Sequence, residues 1–174
     1  MRSIATGLMW VLVGAMPVSA TELPARKPGL WEVKTSIGNN IAAARSIQQC
    51  IDAATDQMLQ SNAGPFAAAA CPQREVKNTA DSITIDSTCT LGGKAATAHA
   101  VITGSFDSAY TMTVTSQNDE LPGGKMTMTM DAKWLGPCAA DQKPGDLIMG
   151  NGVKVNILQM QKLSTQPSIP PPPK

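Results

Sequence analysis

Four cysteines are the residues of this chain whose chemistry is easiest to predict. They are Cys50, Cys71, Cys89 and Cys138. None belongs to a close C-x-x-C pair of the kind that binds zinc. An even number of cysteines in an exported chain is typical of disulfides. We therefore predict that all four cysteines form disulfides and that they hold no metal ion.

Methionines are the second group of residues that could bind a metal ion or a ligand. Three of them alternate along one segment, and a fourth lies on the segment before it. Thioether sulfurs bind Cu(I), but alternate side chains on one strand lie about 6–7 Å apart, too far for one ion without help from a neighbouring strand. Methionine also fills apolar cores, and it lines apolar ligand pockets. Core packing, an apolar ligand face and a copper site are the three interpretations. The predicted ligand face comprises Met112, Met126, Met128, Met130, Trp31 and Trp134.

The single histidine, His99, is the candidate for a catalytic base. A catalytic triad requires a nucleophile, a base and an orienting acid that come together. The sequence contains no G-x-S-x-G nucleophile motif, and its acidic residues are scattered. We interpret His99 as a solvated residue of a strand. The prediction is a protein that is not an enzyme, with no catalytic residue and no cofactor.

The first twenty residues have the features of an export signal. Arg2 supplies a positive start, residues 4–13 are mostly apolar, and Val18, Ser19 and Ala20 form a small-residue cleavage site. We predict cleavage after Ala20. The apolar run is short for a membrane span, so we predict no span in the mature protein, with an uncleaved anchor as the alternative.

The charge balance bears on the class of partner. Removal of Arg2 would leave 13 basic residues against 13 acidic residues, so the mature chain is close to neutral. Proteins that bind nucleic acids normally have a basic excess. Only 3% of the residues are aromatic, which gives few platforms for base stacking. We therefore predict no nucleic-acid partner.

Strands are the elements that must position these residues. Apolar side chains alternate with polar ones from Tyr110 to Val114 and again from Met126 to Trp134, which is typical of strands with one dry face. Similar patterns predict a first strand that opens at Gly29-Leu30-Trp31 and a second strand from about Ala43 to Ile51. They also predict a hairpin between Cys71 and Cys89. The prediction is one mainly β, antiparallel domain of about seven or eight strands with one short helix. Its architecture is a curved sandwich or an incomplete barrel.

These patterns divide the chain into three parts. We predict a signal peptide over residues 1–20, a single β domain over residues 21–163 and a Pro-rich disordered tail over residues 164–174. Asp52 is predicted to cap a short helix over residues 53–60. The stretch from 146 to 160 is ambiguous, and a short strand followed by one or two helical turns is the favoured interpretation.

The predicted topology suggests how the cysteines pair. Cys71 and Cys89 flank one hairpin and should end side by side. If the strand of Trp134 runs antiparallel beside that of Trp31, Cys50 and Cys138 reach the same end of the sheet. We therefore expect the disulfides Cys71–Cys89 and Cys50–Cys138, the second tying the first and last strands together.

Several of these features occur together in a known family. They are the Lys27–Val33 segment, the cysteine at position 50, the Cys71–Cys89 hairpin, the Thr/Met strand after Tyr110 and the Trp134–Cys138 segment. Together they resemble the domain-of-unknown-function 3617 family, small exported proteins of Gram-negative bacteria, from Arg26 to Cys138. The resemblance implies a periplasmic location and a compact β fold, and it carries over no activity.

The functional expectation combines these observations. We predict a non-enzymatic periplasmic protein that binds a small apolar ligand in a Met-rich concave β face. The alternative is an envelope structural or protein-interaction module with a filled core and no ligand. A cavity of about 300 Å³ or more behind the Met strand would favour the ligand. A filled core with an exposed apolar patch would favour a protein partner.

Overall fold

The structure is a computed structural model that describes residues 23–38, 45–63, 71–91, 93–119 and 121–164. The predicted signal peptide lies outside these ranges. So does the predicted tail, apart from Ser164, which ends a helix.

The described residues contain nine strands and two α-helices. A π-helical turn, Leu59–Ala63, continues the first helix, and a 3-10 turn, Pro122–Gly124, precedes one strand. In chain order the elements are β1 Gly29–Ile37, β2 Arg45–Ile51, α1 Ala53–Met58, β3 Gln73–Asn78, β4 Ile83–Leu91, β5 Lys94–Ser105, β6 Ala109–Gln117, β7 Lys125–Gly136, β8 Asp146–Met149, β9 Lys154–Asn156 and α2 Ile157–Ser164.

All nine strands belong to one open antiparallel sheet. Their order is β3-β4-β5-β6-β7-β1-β2-β8-β9. The predicted mainly β, antiparallel class is therefore confirmed. The number of strands is nine instead of seven or eight, because the segment after Gly145 contributes two short strands. The strands form one sheet, so the sandwich alternative is wrong.

The sheet is strongly curved. Arg74 on β3 and Ile47 on β2 are separated by five strands, which would place them about 29 Å apart in a flat sheet. Both residues nevertheless line the same cavity, whose volume is about 400 Å³. The sheet must therefore bend around that cavity, as in an incomplete barrel.

Alternation gives the sheet an apolar inner face and a polar outer face. On β4, β5 and β6 every second side chain is buried, as at Ile85, Ala100 and Val114. These three residues are direct neighbours across the strands and belong to one hydrophobic cluster. Between them on the other face lie polar residues such as His99 and Thr115. The period of two thus creates one dry surface for the cavity.

The segment before β1 is fixed to the sheet by two tryptophans. Trp31 and Trp134 are direct neighbours on the adjacent antiparallel strands β1 and β7. Their Nε1 atoms donate to the carbonyl oxygens of Lys27 at 2.8 Å and Pro28 at 3.1 Å, respectively. Gly29 has φ +133°, and a Cβ at this position would overlap the carbonyl oxygen of Gly136. The backbone therefore approaches β7 too closely for a side chain.

Two disulfides join the predicted pairs of cysteines, Cys50–Cys138 and Cys71–Cys89. The first links β2 to the segment after β7 and passes over β1, which lies between those strands. It does not tie the first and last strands together, because β8 and β9 follow it. The second closes the β3–β4 hairpin.

Both helices begin at capping side chains. Asp52 Oδ1 accepts from Thr55 N at 2.8 Å, and Thr55 Oγ1 accepts from Asp52 N at 2.9 Å, a capping box. The hydrogen bonds that the Asp52 carboxylate accepts from the Thr55 N–H and hydroxyl lower the pKa of Asp52. Asn156 Oδ1 accepts from Leu158 N at 3.1 Å where α2 starts. The ambiguous segment thus contains two short strands, β8 and β9, followed by helix α2, which is one strand more than predicted.

Candidate ligand-binding cavity

The inner face of the sheet holds a cavity of about 400 Å³. Its sheet wall is centred on two neighbouring strands, where Met112 on β6 lies directly opposite Met130 on β7. Met128 is two residues from Met130 on the same face. Leu59 from the π-helical turn and Phe106 from the β5–β6 turn also line the cavity. The further lining residues are Leu23, Arg26, Val33, Thr35, Ile47, Gln49, Gln60, Arg74, Ile85 and Tyr110.

The register places all six residues of the predicted ligand face on the inner face, but only three line the cavity. These three are Met112, Met128 and Met130. Met126 lies nearer the strand end, and its side chain is 38% exposed. Trp31 is fully buried and does not reach the cavity. Trp134 packs under the Lys27 ammonium, which lies 3.7 Å from the ring centroid.

A buried ion pair beside the cavity fastens helix α1 to the N-terminal segment. The Arg26 Nε atom donates to Asp56 Oδ1 at 2.7 Å, and the side chains are 5% and 1% exposed. Asp56 Oδ2 accepts from the Arg26 main-chain N at 2.7 Å and from Gln60 Nε2 at 2.8 Å. Arg26 also donates to Gln49 Oε1 at 2.9 Å. Each buried charge is therefore compensated by the opposite charge of its partner. The same contacts hold α1 against β2 and the N-terminal segment.

Tyr110 joins this cluster to the apolar wall. Its ring stacks on Phe106 at 4.6 Å between centroids and lies 5.8 Å from the Trp31 ring. Burial raises the pKa of the Tyr110 phenol, and the nearby Arg26 guanidinium acts in the opposite direction. The phenol therefore stays a neutral hydrogen-bonding group at physiological pH.

The sequence patterns did not identify the charged residues of this site. Arg26 and Asp56 are 30 positions apart, and isolated charges are usually solvated. Arg74 lines the cavity from β3. The sequence feature that could have placed Arg74 on the inner face is its position two residues before Val76, since alternate residues face the same side of a strand.

His99 lies on the outer face of the sheet, away from the cavity. Its Nδ1 atom is 2.7 Å from Asp86 Oδ1, and both side chains are about half exposed. Thr115 is its neighbour across the strands. A hollow of about 540 Å³ surrounds this group, but its lining is mostly polar, unlike a typical ligand pocket. The position agrees with the interpretation of His99 as a solvated strand residue.

Neither a metal cluster nor a membrane-spanning helix is found in the described part of the chain. Within it, no three His, Cys, Asp or Glu side chains are grouped so that they could hold a metal ion. No helix in the same ranges has the length and apolar character needed to cross a membrane.

Comparison with known proteins identifies a family for the chain. The model of a family described as "protein of unknown function (DUF3617)" matches residues 26–138. The chain belongs to this family. The DUF3617 match starts at Arg26 of the buried ion pair and ends at Cys138 of the first disulfide, so it includes β1–β7. No curated protein and no solved structure matches the chain.

Proposed function

We propose that this DUF3617 protein is an exported, non-enzymatic protein of the periplasm that binds a small apolar ligand against its Met-rich concave face. The observation that carries the proposal is the cavity. Its volume of about 400 Å³ lies in the range of small-molecule pockets, roughly 300–1,000 Å³. Its lining is predominantly apolar with a few polar groups, which is the usual composition of such pockets.

Physical chemistry favours an apolar guest in this space. Atoms that line an empty apolar cavity lack packing partners, and apolar cavities exclude water but accept apolar molecules. The flexible thioether side chains of Met112, Met128 and Met130 adapt to the shape of a guest. A ligand would thus supply the packing that the sheet alone leaves incomplete.

Blocking the cavity tests this proposal. The variant Met128→Trp places a larger side chain in the cavity, whereas Met126→Trp makes the same change on the same strand outside its lining. We expect the neutral dye Nile red to fluoresce with the unmodified protein and with Met126→Trp, and to lose at least tenfold in affinity with Met128→Trp. Equal dye binding by both variants would contradict a ligand site here.

The export part of the proposal rests on the N-terminal sequence. Arg2, the apolar run and Ala20 have the order of a cleavable signal. When the full sequence is expressed in a Gram-negative host, the protein in the periplasmic fraction should begin at Thr21. An N terminus at Met1 in the membrane fraction would favour the uncleaved anchor.

An envelope structural or protein-interaction module is the alternative. It is favoured by apolar side chains on the exposed side of α2, where Met160 is 56% and Leu163 is 70% exposed. In this case the unmodified protein would not bind Nile red in the cavity. Leu163→Gln would instead change the association state measured by light scattering.

A further inference from the structure

Two polar side chains of the cavity lining, those of Tyr110 and Gln49, are held by the same guanidinium. Gln49 Oε1 accepts from Arg26 at 2.9 Å, and the Tyr110 oxygen also accepts from Arg26. A guanidinium has donors and no acceptor, so it cannot accept the hydroxyl hydrogen of Tyr110 or the amide hydrogens of Gln49. Arg26 therefore fixes the oxygen atoms of both side chains and leaves their hydrogens to other partners.

The Tyr110 hydroxyl is the more deeply buried of these two donors. Gln49 is half-buried, so water can accept its amide hydrogens, whereas Tyr110 is only 8% exposed. Within the residues that the structure describes, no atom accepts the Tyr110 hydrogen. The carboxylate oxygens of nearby Asp56 accept from Arg26 and Gln60 instead. Because a buried tyrosine hydroxyl usually has a hydrogen-bond partner, this donor is suited to an acceptor that enters the cavity.

The charges around the cavity favour an uncharged guest. Asp56 compensates Arg26 at 2.7 Å, and Arg74 has an interaction of its own within the protein. The described lining includes no Asp or Glu that could pair with a cation. A charged guest would therefore lose its hydration without gaining an uncompensated opposite charge. A neutral oxygen acceptor needs only a donated hydrogen.

We propose that the ligand is an uncharged, mostly apolar molecule with a carbonyl oxygen that accepts from the Tyr110 hydroxyl. This inference rests on the proposed ligand-binding function and specifies its ligand class. The apolar body would lie along Met112 and Met130, which are opposite each other on β6 and β7. The Phe106 ring, stacked on Tyr110 at 4.6 Å, holds the phenol in place. Hydrogen bonds in a chain polarise one another, so donation from Arg26 strengthens Tyr110 as a donor.

Three probes of one shape test the proposal. They are 2-acetylnaphthalene, 2-isopropenylnaphthalene and 2-naphthoate, which carry a ketone, an alkene and a carboxylate on the same ring system. Their affinities are measured at neutral pH by displacement of Nile red from protein expressed from the full sequence. Tyr110→Phe removes the hydroxyl and keeps the ring, so it should weaken binding of the ketone about tenfold and leave that of the alkene unchanged. With the unmodified protein, 2-naphthoate should bind at least about tenfold more weakly than the ketone.

Thr113→Val is the matched control. It removes a hydroxyl from the same strand, but Thr113 faces the outer side of the sheet and does not line the cavity. Affinity for the ketone should be unchanged in this variant. Unchanged binding of the alkene by Tyr110→Phe shows that this variant is folded.

The infrared carbonyl stretch of bound 2-acetylnaphthalene is a second measurement. A hydrogen bond to the oxygen weakens the C=O bond. The stretch should therefore lie at a lower frequency with the unmodified protein than with Tyr110→Phe. The same frequency in both complexes would refute the contact with the hydroxyl.

The outcomes separate this inference from the proposed function. If Tyr110→Phe changes the binding of the ketone and the alkene equally, or changes neither, the carbonyl contact is refuted and the apolar pocket stands. Binding of 2-naphthoate as tight as that of the ketone refutes the uncharged class, with the same consequence. If Nile red binds but none of the three probes displaces it, the inference is again overturned. If neither Nile red nor any probe binds, the proposed ligand-binding function itself is overturned.

Discussion

The buried pair of Arg26 and Asp56 gives the strongest stability prediction. Removing one partner of a buried ion pair costs about 3–5 kcal/mol, because the other charge is left without compensation. Asp56→Asn keeps one acceptor oxygen for the Arg26 main-chain N–H, so we expect the lower end, about 3 kcal/mol. For a domain of this size that corresponds to a fall in Tm of about 6–12 °C.

Unfolding followed by circular dichroism, with the disulfides intact, measures this loss. Arg26→Met should be destabilised similarly, and the double variant Arg26→Met/Asp56→Asn should lose less than the sum of the single losses, because the two groups interact directly. The exposed pair of Glu75 and Lys77 is the control, whose neutralisation should change stability by less than about 0.5 kcal/mol. Additive losses, or an Asp56→Asn variant that melts within about 2 °C of the unmodified protein, would refute the reasoning.

Three further predictions concern the framework of the sheet. Replacing the Cys50–Cys138 disulfide by alanines should lower the free energy of unfolding, measured in urea, by about 4.6 kcal/mol, against about 3.2 kcal/mol for the Cys71–Cys89 disulfide. The first loss is larger because the sequence separations are 88 and 18. The reverse order would contradict the loop-entropy argument. Tyr110 is the only tyrosine, so ultraviolet titration should show one phenol with a midpoint above 10 that returns to about 10 in denaturant. Its raised pKa means that stability falls as pH rises beyond about 10, and a native midpoint at or below 10 would be inconsistent with its burial. Gly29→Ala should destabilise the protein by at least about 2 kcal/mol, because its Cβ would overlap the Gly136 carbonyl oxygen. Gly38→Ala should cost only about 1 kcal/mol, because a Cβ at Gly38 meets no atom within 4 Å. Equal falls in Tm for the two variants would exclude a packing cause.

Alternation made the strands predictable. A period of two is a local property, so the pattern from Met126 to Trp134 was sufficient to place β7. Its antiparallel pairing with β1 was a hypothesis, which the structure confirms. The same geometry gave both cysteine pairs. The very short strands β8 and β9 contain too few residues for the pattern to be decisive, which is why the predicted number of strands was too low.

A curved sheet was predicted, but the position of the cavity and the charged residues around it were not predictable in the same way. They depend on contacts between distant segments, such as Arg26 with Asp56, which are 30 residues apart. The position of the cavity lining also depends on where the sheet bends. Strand parity placed Met126 and Met128 on one face, but it could not show that only Met128 lines the cavity.

The direct test of the central claim is the native mass of the protein, expressed from its full sequence and purified from a periplasm without added metal or ligand. The proposal predicts extra mass that disappears on denaturation and has the value of a small apolar molecule. The denatured chain should lie four hydrogens below its reduced mass, as two disulfides require. A native mass equal to that of the bare chain, together with no binding of Nile red, would contradict the ligand-binding function and favour the interaction module.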